Sequence, residues 1–73
     1  MLLTIQNAGR ILDLYDAESP ERGPTEVGSE LGIGKSKAHA LMASMAEIGL
    51  LRRTADGRYR VGWRALELER APA

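Results

Sequence analysis

Cysteine is absent from this sequence, so neither a disulfide bond nor a thiolate metal site can stabilise the fold. His39 is the only histidine, so no histidine cluster can bind a metal either. No apolar run approaches the roughly 18 residues of a membrane-spanning helix, and the first residues do not form a secretory signal peptide. The 73 residues therefore predict one small cytoplasmic domain with no membrane partner and no cofactor.

The net charge is zero, but the charges are unevenly distributed along the chain. Residues 1–33 contain two basic and six acidic side chains, whereas residues 34–64 contain seven basic and two acidic ones. A basic region of this kind supplies a field that attracts phosphate, even when the total charge vanishes. The second region is therefore the candidate for contact with a nucleic acid, although the neutral total predicts weak binding by an isolated monomer.

Apolar residues at helical spacing predict a first helix over about residues 4–17, with Thr4 as its N-cap. A polar loop bounded by two prolines follows. Thr25 should cap a second, short helix that ends at Gly32. Gly28, inside that helix, indicates close approach of another helix, because a missing Cβ lets two backbones pack tightly.

A third helix is predicted over about residues 35–48, and Gly49 should stop it. Its apolar residues follow the i, i+3, i+4, i+7 rule and form the stripe expected to be buried: Ala38, Leu41, Met42, Met45 and Ile48. Its other face carries Ser36, Lys37, Ala40, Ser44 and Glu47, with Lys35 and His39 at the flanks. The tight turn at residues 32–34, with a helix on each side of it, predicts a helix-turn-helix.

Two short strands, over residues 50–54 and 58–62, are predicted around the dipeptide Asp56-Gly57, which is a strong hairpin signal. The hairpin carries four arginines: Arg52, Arg53, Arg58 and Arg60. Alternation along the second strand directs the last two of them to a strand face that the core does not need.

A last helical segment is predicted over residues 63–70, fraying at Pro72. Trp63, at its start, should pack beside the hairpin as part of the core, and a subunit contact is the alternative. Residues 1–63 are thus the predicted domain, and residues 64–73 begin a linker helix or a tail.

In a helix-turn-helix, side chains near the start of the second helix reach base edges in the major groove. Here these side chains are Lys35, Ser36, Lys37, His39, Ala40 and, further along, Ser44. The hairpin then acts as a wing whose arginines contact the phosphate backbone or enter the minor groove. The plainer alternative is that these charges only solvate an exposed surface, but four arginines in one hairpin favour phosphate contact. No nucleophile–base pair can be assembled, so no enzyme is predicted.

Three runs resemble the N-terminal winged-helix domain of IclR-type bacterial transcription regulators: residues 32–42, 47–53 and 56–62. Residues of the first two helices also match: Ala8, Arg10, Ile11, Leu12, Leu14, Thr25, Glu26 and Leu31. The resemblance implies a dimeric repressor or activator whose third helix reads double-stranded DNA. It assigns the base and phosphate contacts to Ser36, Lys37, His39 and Ala40.

Two residues depart from the pattern of that family. Lys37 stands where the family usually has threonine, and Ala40 where it usually has arginine, so a strong guanine contact is expected to be lost. The family also carries a larger C-terminal domain that binds a small effector and supports oligomerisation, and this sequence contains nothing of that effector-binding domain.

The predicted fold class is α+β, mainly α: a winged helix-turn-helix of three helices, a two-stranded hairpin and a short C-terminal helical segment. The predicted function is the DNA-binding domain of a bacterial transcriptional regulator that acts as a homodimer. The alternative is a winged helix that docks a protein partner and never binds DNA. Ala40 and the zero net charge favour that alternative.

Overall fold

The computed structural model describes the backbone of residues 2–70 and the side chains as far as residue 66. The elements are α1 (Leu3–Asp13), α2 (Pro24–Leu31), α3 (Lys35–Glu47), β1 (Leu51–Arg53), β2 (Tyr59–Val61) and α4 (Trp63–Arg70). The two strands pair antiparallel and form the wing, which we define as residues 51–61. The predicted class, a mainly helical winged helix-turn-helix, is confirmed. No helix in the described part of the chain is both long and apolar enough to cross a bilayer.

The core lies between the three helices and the wing, and α3 packs against α1, α2 and β1. Its fully buried side chains are Ile11, Val27, Ala38, Met42, Met45, Leu51 and Tyr59. Three members of the predicted α3 stripe are among them, and Leu41 packs partly buried beside them. Each buried Val, Leu, Ile or Met side chain contributes about 1.5–3 kcal/mol to stability relative to an exposed one. Because α3 contributes three of the buried side chains, the small core depends mainly on this helix.

The prediction that Ile48 is buried is wrong, because this side chain is 53% exposed. Helix α3 ends at Glu47, and Ile48 takes a non-helical C-cap conformation that turns it away from the stripe. Gly49 then adopts a positive φ of 83°, and the Leu50 amide donates to the Met45 carbonyl at 2.9 Å. The predicted stop at Gly49 is confirmed, since this left-handed conformation suits glycine.

Helix α1 is shorter than predicted and is not capped by Thr4. Its N-cap is Leu2, which lies outside the predicted range 4–17, and no side chain caps it. The helix ends at Asp13 because the chain tightens into a turn there. The carboxylate of Asp16 then accepts hydrogen bonds from two amides of the loop, at 2.9 and 2.7 Å, and these bonds compete with continued helix.

Helix α2 begins one residue before Thr25, so the prediction that Thr25 is the N-cap is also wrong. The N-cap is Gly23, and Pro24 occupies the first helical position, where its missing amide proton costs nothing. The carboxylate of Glu26 accepts a hydrogen bond from the Gly23 amide at 2.8 Å, which satisfies a donor at this end of the helix.

The turn between α2 and α3 depends on three glycines. Gly32 and Gly34 have positive φ angles of 69° and 84°, which confirms that Gly32 ends α2. Gly28 faces the start of α3 so closely that a Cβ there would lie 2.5 Å from the Gly34 carbonyl oxygen and 2.9 Å from the Lys35 nitrogen. The predicted close approach at Gly28 is confirmed, and it fixes how α3 leaves the turn.

Both strands of the wing are shorter than predicted, and Gly57, in the turn between them, has a φ of 82°. The register places Leu51 opposite Val61, Arg52 opposite Arg60, and Arg53 opposite Tyr59. The other edge of β2 is paired as well: Arg22 and Tyr59 exchange two backbone hydrogen bonds, at 3.0 and 2.9 Å. The loop between α1 and α2 therefore lies beside β2, opposite β1.

Helix α4 has the predicted bounds, and the predicted fraying at Pro72 lies outside the described residues. Trp63 is 63% exposed, so the prediction that it joins the core is wrong. Its ring lies against Gly49, where a Cβ would be 2.7 Å from the indole nitrogen, and the Arg64 guanidinium lies 5.0 Å from the ring centroid. Leu51 and Tyr59 fill the core at this end of the molecule instead.

The two helical glycines Gly28 and Gly9 provide a matched test of the packing at the α2–α3 turn. We expect Gly28→Ala to lower the free energy of unfolding by about 1–3 kcal/mol, because its methyl group collides with backbone rather than with a flexible side chain. Gly9→Ala meets no atom within 4 Å and should raise that free energy by about 0.5–1 kcal/mol. Urea denaturation measures the free energy of unfolding of both variants. Equal changes in Gly28→Ala and Gly9→Ala would contradict the close approach of Gly28 to the start of α3.

Candidate nucleic-acid interface

The outward face of α3 carries every side chain that the sequence assigned to base contact. All of them are exposed: Lys35, Ser36, Lys37, His39, Ala40 and Ser44. The opposite face is buried through Ala38, Met42 and Met45, so the helix cannot rotate without exposing the core. The structure thus brings the predicted contact residues together on one fixed surface, which we call the α3 face.

The N-terminal end of the α3 face is its most positive part. Lys35 and Lys37 lie in the first turn, and neither forms an ion pair within the described residues. The N-cap residue Gly34 offers no side chain to the first amides of the helix. The partial positive charge of a helix N-terminus adds to that of the lysines, and together they favour a phosphate group at this end.

A shallow groove runs along the α3 face beside the first turns of α1. Lys37, Ala40 and Ser44 line it on the α3 side. Leu3, Thr4 and Asn7 line it on the α1 side. Because Ala40 has only a methyl group, the middle of the α3 face offers no hydrogen-bonding side chain, as the sequence predicted.

The four wing arginines fall into two pairs with different surroundings. Arg52 and Arg53 are exposed and form no ion pair among the described residues. Arg58 and Arg60, in contrast, face the loop that lies beside β2. Their side chains stay out of the core, but carboxylates carried in part by a loop distant in sequence lie against them, which the sequence did not predict.

Carboxylates of the loop and of α2 hold the second pair of arginines. Arg58 Nη2 lies 2.6 Å from Glu26 Oε1 and donates to the Glu21 carbonyl at 2.9 Å. Arg58 Nε also lies 3.7 Å from Glu21 Oε1. Arg60 Nη1 lies 3.1 Å from Glu21 Oε2. Glu21 thus bridges Arg58, which directly precedes β2, and Arg60 of β2, and we call these two the β2 arginines.

Arg22 fixes the loop that carries Glu21, and sequence reasoning missed this role. Its side chain is only 15% exposed and donates to the Leu14 carbonyl at 2.9 Å and to Glu30 at 3.0 Å. The spacing of Arg22, Glu26 and Glu30 suits neighbours on a helix, but the strand-like pairing of Arg22 with Tyr59 joins positions far apart in sequence. Local patterns carry no signal for such a contact.

The tip of the wing carries a negative charge. The Thr54 hydroxyl donates to the Asp56 carboxylate, and this hydrogen bond holds the pKa of Asp56 below its ordinary value. The Arg58 amide donates in turn to the Thr54 hydroxyl at 3.1 Å, which orders the turn. A carboxylate at the tip repels phosphate, so the phosphate contacts that the wing can make are those of its arginines rather than of its turn.

Tyr15 joins the end of α1 to the wing. Its hydroxyl donates to the Tyr59 carbonyl at 3.1 Å. Burial raises the pKa of Tyr15 to about 12, since the phenolate would lose its hydration; the positive charge of Arg22 opposes this rise. Tyr15 and Arg22 are therefore two of the residues that attach the wing to the rest of the fold.

The chain is similar to a family of known proteins and to several solved structures. The family described as the IclR helix-turn-helix domain matches residues 4–55, from α1 into the turn of the wing. The Agobacterium tumefaciens repressor BlcR is 36% identical over 94% of this chain, with a TM-score of 0.81. An IclR homolog from Microbacterium hydrocarbonoxydans, solved with 4-hydroxybenzoate, is 26% identical over 89%, with a TM-score of 0.82.

An IclR family transcriptional regulator from Brucella abortus is 19% identical over 93% of this chain, and its TM-score of 0.86 shows a shared fold. The chain spans 28%, 27% and 26% of the lengths of these three proteins. No curated protein matches it.

We expect the link between Tyr15 and the wing to make stability fall at high pH. Because the folded pKa of about 12 exceeds the ordinary 10.0, folding favours the protonated phenol. This contribution is complete below pH 10 and is lost as the pH rises through about 12. Denaturation midpoints of the wild type and of Tyr15→Phe should thus converge over this range. A tyrosinate absorbance change that disappears in Tyr15→Phe and is centred near pH 10 would contradict the buried hydroxyl.

Proposed function

Because the chain belongs to the IclR family of transcriptional regulators and is a DNA-binding domain of that type, we propose that α3 enters the major groove of duplex DNA while the wing rests on the phosphate backbone. One observation carries this proposal: α3 has one face locked into the core and an opposite face with two lysines that no described carboxylate neutralises. A helix of this kind presents the same side chains to every duplex that it meets.

Individual roles follow from the chemistry of the α3 face. We assign base-edge contacts to Ser36, Lys37 and His39, because these side chains donate or accept the hydrogen bonds that major-groove edges offer. Lys35, at the N-terminus of the helix, is placed for phosphate, and Ser44 for a contact further along the groove. Ala40 contributes only an apolar contact, such as with a thymine methyl group.

The wing supplies contacts that do not depend on base sequence. We assign phosphate contacts to Arg52 and Arg53, whose guanidinium groups are exposed and unpaired within the described residues. Arg58 and Arg60 can join them only by leaving Glu21 and Glu26. The wing contribution is thus smaller in this fold than four free arginines would give.

We further propose that the functional unit is a homodimer, since two copies of a helix-turn-helix read paired half-sites and the uncharged monomer binds weakly. Residues 1–63 form the DNA-binding unit in this proposal, and residues 64–73 begin a linker to the effector-binding domain that the family carries. We assign the domain no catalytic role. If the chain instead docks a protein partner and does not bind DNA, the following experiments would reveal it.

We expect Lys37→Ala to weaken binding to a random duplex about tenfold, which corresponds to roughly 1.4 kcal/mol. Lys35→Ala, which removes the lysine placed for phosphate, should make the log–log salt dependence shallower by about 0.9. Fluorescence anisotropy at several salt concentrations measures both quantities. Arg64→Ala is the control, because it removes a positive charge that lies outside the α3 face and the wing.

Amide shift mapping with the same duplex tests the geometry directly. The proposal requires the largest changes at residues 35–40 and at residues 52–53. An absence of changes at these positions would instead support a protein-docking module. If Lys37→Ala and Arg64→Ala weakened binding equally, the loss would reflect net charge alone and not a contact made by the α3 face.

A further inference from the structure

The positive charge of the wing is partly neutralised by carboxylates that belong to other elements. Glu21 lies in the loop between α1 and α2, and Glu26 lies in α2, yet Glu21 pairs with both β2 arginines and Glu26 with Arg58. The hairpin itself contains only one acidic residue, Asp56, so the neutralisation is a property of the tertiary structure.

These ion pairs remain open to exchange. The side chains of Arg58 and Arg60 are 42% and 39% exposed, and that of Glu21 is 34% exposed. Exposed pairs of this kind are weak, and a guanidinium group binds phosphate with the same two-pronged geometry as carboxylate. A DNA backbone beside the wing therefore competes with Glu21 for the same donors.

In the free protein, electrostatic repulsion between two arginines favours the position of the Glu21 carboxylate beside Arg60. Arg60 lies directly opposite Arg52 in the strand register, and like charges in that position repel each other. Glu21 Oε2, 3.1 Å from Arg60 Nη1, offsets this repulsion. Arg58 is fixed further by its bond to the Glu21 carbonyl, which loss of the carboxylate charge would leave in place.

We propose that Glu21, supported by Glu26, is a specificity-determining residue: it competes with phosphate for the β2 arginines and so lowers sequence-independent affinity for DNA. The inference rests on the proposed function, because it concerns the same wing and the same duplex. Binding then depends more strongly on the α3 face, where base edges are read. The partner in this competition is the DNA phosphate backbone.

The first test replaces Glu21 by its uncharged isostere. Glu21→Gln should bind a random duplex about fivefold more tightly at low salt, the change that corresponds to ~1 kcal/mol. Its log–log salt dependence should be steeper by about 0.9, because one more phosphate is neutralised. Glu18→Gln is the matched control: it removes the same charge from the same loop, and Glu18 pairs with no arginine among the described residues.

The second test needs no change at Glu21. Arg52→Gln and Arg60→Gln remove the same charge from directly opposite positions of the wing. The proposal requires Arg52→Gln to weaken duplex binding more than Arg60→Gln does. In the Glu21→Gln background, the effect of Arg60→Gln should grow until the two are comparable.

The outcomes separate this inference from the proposed function. If the wild-type chain shows no shifts with any duplex, the proposed function fails and the inference with it. If the wild type binds but Glu21→Gln and Glu18→Gln change affinity and salt dependence equally, the inference alone is overturned. Weaker binding by a folded Glu21→Gln, or equal losses for Arg52→Gln and Arg60→Gln in the wild type, would also overturn it.

Discussion

The arrangement of this domain depends on Arg22, which joins three parts of the fold. Its backbone pairs with Tyr59 of the wing, and its side chain reaches the last turn of α1 and the acidic side chains of α2. A largely buried guanidinium is costly unless its donors are satisfied, and of the Arg22 nitrogens Nε alone has no hydrogen-bond partner among the described residues. The contacts that compensate for this burial are the same contacts that set the wing against the helices.

This constraint reaches the interface through the loop that Arg22 holds. Once the loop lies beside β2, Glu21 is brought to the β2 arginines, and Tyr15 can donate to the carbonyl of Tyr59. The wing is therefore not a free hairpin whose charges project into solvent. The backbone pairing of Arg22 holds the loop beside the wing, and the Glu21 carboxylate of that loop lowers the charge that the wing presents.

Sequence patterns predicted the features that depend on residues close together in the chain. The two faces of α3 follow from helical periodicity, and the turns at Gly32 and Gly57 follow from the need for a positive φ. The predicted caps at Thr4 and Thr25 are wrong: α1 begins at Leu3 with no side-chain cap, and at α2 a neighbouring residue takes the first helical position. Pro24 is the better first residue of a helix, and it moves the cap of α2 to the residue before it.

The state of the wing arginines could not be predicted, because it depends on partners that are distant in sequence. Arg58 and Glu26 are 32 positions apart, and Arg60 and Glu21 are 39 apart. Exposure of Trp63 and Ile48 has a similar origin, since both lie where an element ends and periodicity no longer fixes direction. The α3 face was thus predictable as a surface, whereas the charge that the wing presents was not.

The two unequal edges of the wing have a consequence for contacts between chains. Arg22 pairs with Tyr59 on the outer edge of β2, so among the described residues β1 offers the more open edge to a foreign strand. That strand is three residues long and carries Arg52 and Arg53 next to each other. Short, strongly charged edges resist intermolecular strand pairing. The arginines that we assign to phosphate thereby also protect the domain from aggregation when neighbouring copies are concentrated on one stretch of DNA.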